Sequence, residues 1–259
     1  MSDAPDLRPT LITPDWPAPA NVRAFVTTRE TGPSQGAFAA FNVATHVGDN
    51  AEHVALCRRL LGKEVGDARP FLWLSQTHGA RVQQHYPRRT ALQSEIPEAD
   101  AAVADSADYA CVVLTADCLP VLFCNRAGTR VAVAHAGWRG LAGGVLEATV
   151  AALNTPAEDV MAWLGPAISN AQFEVGPEVF DAFVAVHPQA EGAFDPSPYR
   201  LGHYMADLYH LARLRLSLLG IDEVSGGHFC TASEPRFYSY RRDNGQTGRM
   251  ASAIWLDSP

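Results

Sequence analysis

A-C-V-V-L-T-A-D-C-L-P-V-L-F-C-N-R-A-G-T-R-V-A-V-A-H-A-G-W-R-G-L-A-G-G-V-L-E-A-T-V-A-A-L-N, residues 110–154, is the stretch that decides the fold class. Three short apolar runs, 110–116, 120–125 and 129–135, follow one another with only turn residues between them, so they read as consecutive strands. After the G-W-R-G turn a helical period runs from 141 to 154 in spite of two glycines. Strands in succession with helices dispersed between them, rather than a regular β-α-β alternation, predict an α+β protein with mixed sheets.

The flanking sequence extends that pattern. V-R-A-F-V-T-T-R (22–29) alternates and is β-branched, which predicts a strand, and T-G-P-S-Q-G (31–36) is loop. A helix is expected over Ala51–Leu61, with Asp49 or Asn50 as N-cap and Gly62 as its stop. Further strands are expected at 71–75, 80–86 and 160–166, and helices at 177–186 and 204–219, the second closed by Gly220. V-S-G-G-H-F-C-T (224–231) and G-R-M-A-S-A-I-W-L (248–256) are strand-like. No repeat or linker divides the chain. The expectation is a proline-rich, irregular lead-in over residues 1–20, then one layered domain over 21–259, its mixed β-sheets flanked by helices.

Three soft ligands stand where strands are expected to end: His78 in S-Q-T-H-G (75–79), Cys118 in L-T-A-D-C-L-P (114–120) and His135 in V-A-V-A-H-A-G-W-R-G (131–140). Imidazole and thiolate suit zinc or copper, and three ligands leave a coordination position open for water or substrate. No C-x-x-C spacing occurs, so a closed structural site is the weaker reading. Cys118 reads first as a ligand, and in the second reading as a nucleophile with His135 as its base. Cys57 and Cys111 lie in apolar helical and strand runs and read as packing. His46, His53, His85, His187, His203, His210 and His228 have no ligand-like partner at readable spacing. They read as surface or core residues.

Arg139 sits in the glycine turn at a helix start just after His135, where an anion can be held. Asp117 is a candidate general base, a partner of a ligand, or a turn-former. F-Y-S-Y-R-R-D-N (237–244), with Arg241, can wall a pocket that stacks a planar ring and grips an anion.

Composition narrows the classes. The chain has 259 residues, 47% hydrophobic and 19% charged, as in an ordinary globular protein. A net charge of −8 argues against a nucleic-acid binder. No apolar run approaches the ~20 residues that span a bilayer. The N-terminus lacks a signal core, and five irregularly spaced cysteines fit a reducing compartment, so the cytoplasm is expected. Oligomeric state is not readable.

Several stretches together carry a resemblance: F-N-V-A-T-H-V-G-D (41–49), S-Q-T-H-G (75–79), L-T-A-D-C-L-P-V-L-F (114–123), A-H-A-G-W-R-G (134–140), G-P-A-I-S (165–169), F-E-V-G (173–176) and F-Y-S-Y-R-R-D-N-G-Q-T-G-R-M (237–250). The chain resembles the YfiH-like laccase-domain proteins, also described as polyphenol oxidases and as zinc-dependent purine nucleoside phosphorylases with adenosine deaminase activity. The resemblance implies a metal triad of His78, Cys118 and His135. It implies zinc, with copper as the alternative metal, and inorganic phosphate as co-substrate. The implied reactions are phosphorolysis of adenosine, inosine, guanosine or methylthioadenosine, and deamination of adenosine. Catalytic roles would fall to Cys118, His135, Asp117 and Arg139, and substrate contacts to Asn42, Gln76 and Arg241. Ala167 and Ala171 stand where relatives often carry cysteines, and M-A-D-L (205–208) replaces a more usual L-D-L. A Cys–His hydrolase acting on cell-wall precursors is the rival from another class, and a copper polyphenol oxidase the other alternative. Nine histidines without one H-x-H pair, and no methionine near a triad motif, speak against several coppers.

Overall fold

The structure is a computed structural model and describes residues 7–66, 69–84 and 96–257. Two large sheets organise it. The first has five strands in the order β1 (Leu11–Ile12), β2 (Val22–Thr27), β14 (Met250–Leu256), β6 (Ala110–Thr115) and β3 (Phe71–Leu72). Its pairs are antiparallel except β3 with β6. The second has six: β13 (Glu223–Gly226), β9 (Val160–Leu164), β7 (Leu119–Asn125), β8 (Val131–Ala136), β5 (Ala101–Ala104) and β4 (Val82–Gln83). Here β13–β9 and β4–β5 are parallel and the central pairs antiparallel. The sheets are therefore mixed, as expected of an α+β chain.

Side-chain alternation shows how the sheets stack, because successive residues of a strand face opposite sides. Cys111 and Val113 of β6 join Leu122 and Cys124 of β7 and Val131 and Val133 of β8 in one cluster between the two sheets. Ala110, Val112 and Leu114 face the other way, onto α1 (Ala51–Val65). Val121, Phe123, Ala132 and Ala134 face α2 (Trp138–Ala142), α3 (Val145–Leu153), α4 (Pro177–Val184) and α5 (Leu208–Leu218). The layers thus run helix, sheet, sheet, helices. Strands buried on both faces lose the polar half of their alternation, which is why 110–116 and 131–136 read as continuous apolar runs. A small antiparallel sheet of β10 (Glu174–Val175), β12 (Tyr204–Ala206) and β11 (Phe194–Pro196) packs beside α4.

Several boundaries differ from the sequence expectation, each for a local reason. The helix α1 runs on through Gly62 and stops at Gly66, whose φ of 88° suits glycine. Its N-cap is Asn50, whose side chain accepts from the N–H groups of Glu52 and His53. The helix expected over 141–154 is broken at Gly143–Gly144, where Gly144 is left-handed, giving α2 and α3. The 204–219 segment begins as β12 and turns helical only after Asp207, which caps α5 by accepting from His210 N–H. Strand structure at 71–75 is confined to Phe71–Leu72, and residues 85 and 86 of the expected 80–86 strand lie outside the described residues. Residues 227–231 form no strand, and β5 was not foreseen. The lead-in contributes β1 and is pinned further by Trp163, whose indole N–H donates to Asp15.

Candidate metal centre

The chain passes from the five-stranded to the six-stranded sheet between β6 and β7, and Cys118 lies in that crossing turn. His135 is the penultimate residue of β8 and pairs with Pro120, next to the same turn. His78 comes not from a strand end but from a loop clasped onto the start of β5 through the Ser75–Glu98 bridge. One ligand atom from each of His78, Cys118 and His135 lies within 4.8 Å of the others. The two imidazoles meet edge-on, with ring centroids 4.8 Å apart. His78 is exposed and His135 almost fully buried, so the group is open on one side. It is the one such cluster among the described residues.

Asp100, which sequence reasoning missed, holds this cluster in place. Its carboxylate is fully buried and accepts from the backbone N–H groups of Thr77 (3.1 Å), His78 (2.9 Å) and Gly79 (2.8 Å). It also pairs with His135 Nδ1 at 2.8 Å, while its carbonyl accepts from His135 N–H. One side chain thereby fixes both the left-handed His78 turn (φ 61°) and the His135 ring. Because Nδ1 faces Asp100, Nε2 of His135 is the atom left for a metal. The only sequence signal was an acid just before the apolar run 101–104.

The charges are coupled. Burial pushes the Cys118 thiol up, but His135 and His78 outweigh it and bring it down to about 6. Burial pushes His135 down, and the Cys118 thiolate and Asp100 outweigh it, raising it to about 9. Burial likewise opposes ionisation of Asp100, yet His135 and the Gly79 and Thr77 N–H groups hold it at about 2. The thiolate is the form that binds a metal or attacks a carbon. Cys57 and Cys111 are buried in apolar packing, which pushes both thiols up, Cys57 to about 11.

The turn itself is tightly tied. Asp117, with φ 87°, accepts from the Thr231 hydroxyl and from Arg241 N–H at 2.7 Å, and its carbonyl accepts from Ile168 N–H. Both carboxylate oxygens are thus engaged in holding the 231 and 241 segments against Cys118. Gly137 forms the floor: a Cβ there would meet Cys118 Sγ at 2.9 Å and His78 Cδ2 at 3.1 Å. A space that glycine alone leaves free, beside two imidazoles and a thiolate, fits a borderline-soft metal ion.

The remaining candidates lie around this centre in differing ways. Gln76 uses both ends of its amide on the backbone of Leu114, at 2.8 and 2.7 Å. Asn42 is fully buried and bonds Ala44, Asp49 and Arg249 N–H. The Arg241 guanidinium donates to the carbonyls of Gln172 and Glu174 and lies over Phe173. Arg139 is exposed, 4.3 Å over its neighbour Trp138. His46, His53, His187, His203, His210 and His228 belong to no ligand cluster, and His85 is outside the described residues. Sequence reasoning also passed over Arg249, which lies where β14 meets the Cys118 turn: Met250 pairs with Thr115.

A layered α+β chain gathers two histidines and a cysteine where its sheets part, a ligand set that could hold a metal ion. Residues 23–257 match the family described as multi-copper polyphenol oxidoreductase laccase, and the chain belongs to that family. It is 53% identical over 246 residues to a Pseudomonas aeruginosa protein named purine nucleoside phosphorylase, covering 95% of this chain and 98% of that one. To the Escherichia coli purine nucleoside phosphorylase YfiH it is 47% identical over 247 residues, with 95% and 98% covered. A crystal structure of a Neisseria meningitidis protein superposes with a TM-score of 0.89 at 53% identity, over 96% of this chain and 99% of that one. The YfiH structure from Bacillus licheniformis gives 0.83 at 29% identity, over 91% and 93%.

Proposed function

We propose that this chain is a zinc-dependent purine nucleoside phosphorylase that also deaminates adenosine. The observation that carries the reading is the His78–Cys118–His135 cluster, oriented by Asp100 and open on the His78 side. The names of its relatives direct the substrate class to purine nucleosides. His78, Cys118 and His135 would hold the ion. Zinc, when bound, supplies a Lewis acid that brings the pKa of coordinated water towards ~7.

The protein's own groups prepare that chemistry. Asp100 holds the proton of His135 on Nδ1 and leaves Nε2 facing the thiolate. Asp117 fixes the Cys118 turn through Thr231 and Arg241, and Gly137 keeps the floor clear. In phosphorolysis a phosphate oxygen bonds to ribose C1′, the C1′–N bond breaks, and the purine leaves with the electron pair and takes up a proton. In deamination water adds at C6 and ammonia leaves. Adenosine, inosine, guanosine and methylthioadenosine are the substrates to compare. Zinc is favoured over copper because Met250, the strand partner of Thr115, has its sulfur engaged by Tyr238 N–H at 3.1 Å and so offers no free axial thioether. Five free cysteines support a reducing compartment, and we place the enzyme in the cytoplasm. No helix among the described residues is long and apolar enough to cross a membrane.

The lowered Cys118 thiol beside His135 favours one rival, a Cys–His hydrolase. The test is purine release with phosphate, and ammonia release from adenosine, by protein stripped of metal and then reloaded with zinc. Both activities are expected to vanish on stripping and return with zinc. Full activity without metal, abolished by thiol alkylation, would establish the hydrolase-type nucleophile instead.

A further inference from the structure

We propose that Arg58, Arg249 and His46 form the subsite for inorganic phosphate, beside the Cys118 turn. The inference rests on the phosphorylase reading and names where its co-substrate binds. Loop 42–49 links the three residues. Arg58 Nε donates to Val43 O at 2.8 Å on one side of it, and Arg249 N–H donates to the Asn42 side chain at 3.0 Å on the other. His46 lies on the same loop and is exposed. Both guanidiniums are shelved on aromatic rings: Arg58 lies 3.9 Å over Trp73, and Arg249 5.8 Å from the Tyr240 centroid. Each is anchored by only part of its fork, Arg58 through Nε and Arg249 through one terminal nitrogen on the Thr247 and Gly248 carbonyls. Among the described residues the rest of each fork makes no hydrogen bond.

Arg58 and Arg249 flank the loop that carries His46, and none of the three is in ion-pair contact with a carboxylate among the described residues. The nearby acids are otherwise engaged. Asp49 accepts from Ser34, Asn42 and Asn50, and Asp117 from Thr231 and Arg241. Although His46 reaches solvent, partial desolvation of its ring and the two arginines hold it below the ordinary histidine range, and burial lowers both arginines as well. A partly buried cation without a counter-charge is costly, and a bound anion removes that cost. A tetrahedral oxyanion with several acceptors suits two planar forks and an imidazole. The Cys118 and Asp117 charges act on Arg249, which places this cluster within electrostatic reach of the metal centre. Arg139, the sequence candidate for the same role, lies instead on a five-residue helix and stacks outward on Trp138.

The test is titration of zinc-loaded enzyme with inorganic phosphate by calorimetry, with the phosphate KM measured alongside. Arg249→Met and His46→Gln are expected to weaken phosphate binding about 10- to 100-fold, the loss of one or two charge-assisted bonds. Arg249→Lys and Arg58→Lys, which keep a charge if the larger changes disturb folding, are expected to weaken it less. Zinc content and melting temperature report whether each variant is intact. If wild-type protein binds phosphate, the variants lose it and no purine is ever released, the subsite stands and the phosphorylase reading fails. If purine is released with the same phosphate KM in every variant, or only Arg139→Ala changes it, the subsite is wrong and the phosphorylase reading survives. Wild-type protein that binds no phosphate at concentrations supporting turnover also overturns the subsite.

Discussion

Asp100 illustrates what a residue can do without touching a substrate. It meets two of the three candidate ligands, one through the backbone of its loop and one through its ring, so a single carboxylate sets their mutual geometry. Asn at this position keeps the shape but turns an amide NH2 towards N–H groups that need an acceptor. Asp100→Asn is therefore expected to lower zinc affinity 10- to 100-fold and to cost about 3 kcal/mol of stability, read by chelator competition and denaturant unfolding. Because its folded pKa lies near 2, below the unfolded value of about 3.9, the carboxylate's contribution is complete above that range and fades as pH falls towards 2. Gly137 offers a cleaner separation of site from fold. Its φ of −62° and ψ of 158° are open to alanine, so only the Cβ contact with Cys118 and His78 is new. Gly137→Ala should bind zinc poorly while melting close to the parent; wild-type affinity would refute the floor role. That His78, Cys118 and His135 gather was legible in sequence, from soft ligands in turn motifs and from the family resemblance. Asp100 was not, since an acid before an apolar run has many ordinary uses and its partners are 21 to 35 residues away.

At the scale of elements, local propensity reads well where the backbone obeys it and fails where glycine decides. The sequence stopped α1 at Gly62, a residue the helix passes through, and ran one helix across Gly144, where the backbone turns left-handed. The two glycines look alike in sequence but occupy opposite conformations, and opposite mutational signs follow. A Cβ at Gly62 meets nothing within 4 Å, so Gly62→Ala is expected to stabilise by about 0.5–1 kcal/mol through the unfolded chain. Gly144 has φ +89°, so Gly144→Ala is expected to destabilise by about 1–2 kcal/mol. Urea midpoints of the two variants, at unchanged m, check the pair. Two changes of the same sign would mean that the α2–α3 break is not held by Gly144. The break has a structural use: it lets Gly140 of α2 come close against the carbonyls of Gly79, His135 and His78.

For the whole molecule, the class was legible and the pairing was not. Continuous apolar runs announce strands covered on both faces. Nothing local tells β14 to insert between β2 and β6, or β3 to join β6 in parallel. That assembly matters because it brings the Cys118 turn, the β5 entry and the β8 end to one place, where the candidate ligands gather. The family's description names several coppers, so the molecule's ligand inventory makes a sharp test. Reducing dioxygen to water takes four electrons, which requires several redox-active centres held close together. Among the described residues there is one cluster of three ligands, and zinc, which suits it, has no redox chemistry. Zinc-loaded protein is therefore expected to release purine from nucleosides with phosphate and to consume no oxygen with phenolic substrates. Phenol oxidation, if seen, should require added copper and scale with it. Oxygen uptake and purine release, followed side by side in zinc-loaded, copper-loaded and metal-stripped protein, decide the matter. Rapid oxygen uptake by copper-free protein, lost in Cys118→Ser, would make the centre an oxidase site and overturn the nucleoside reading.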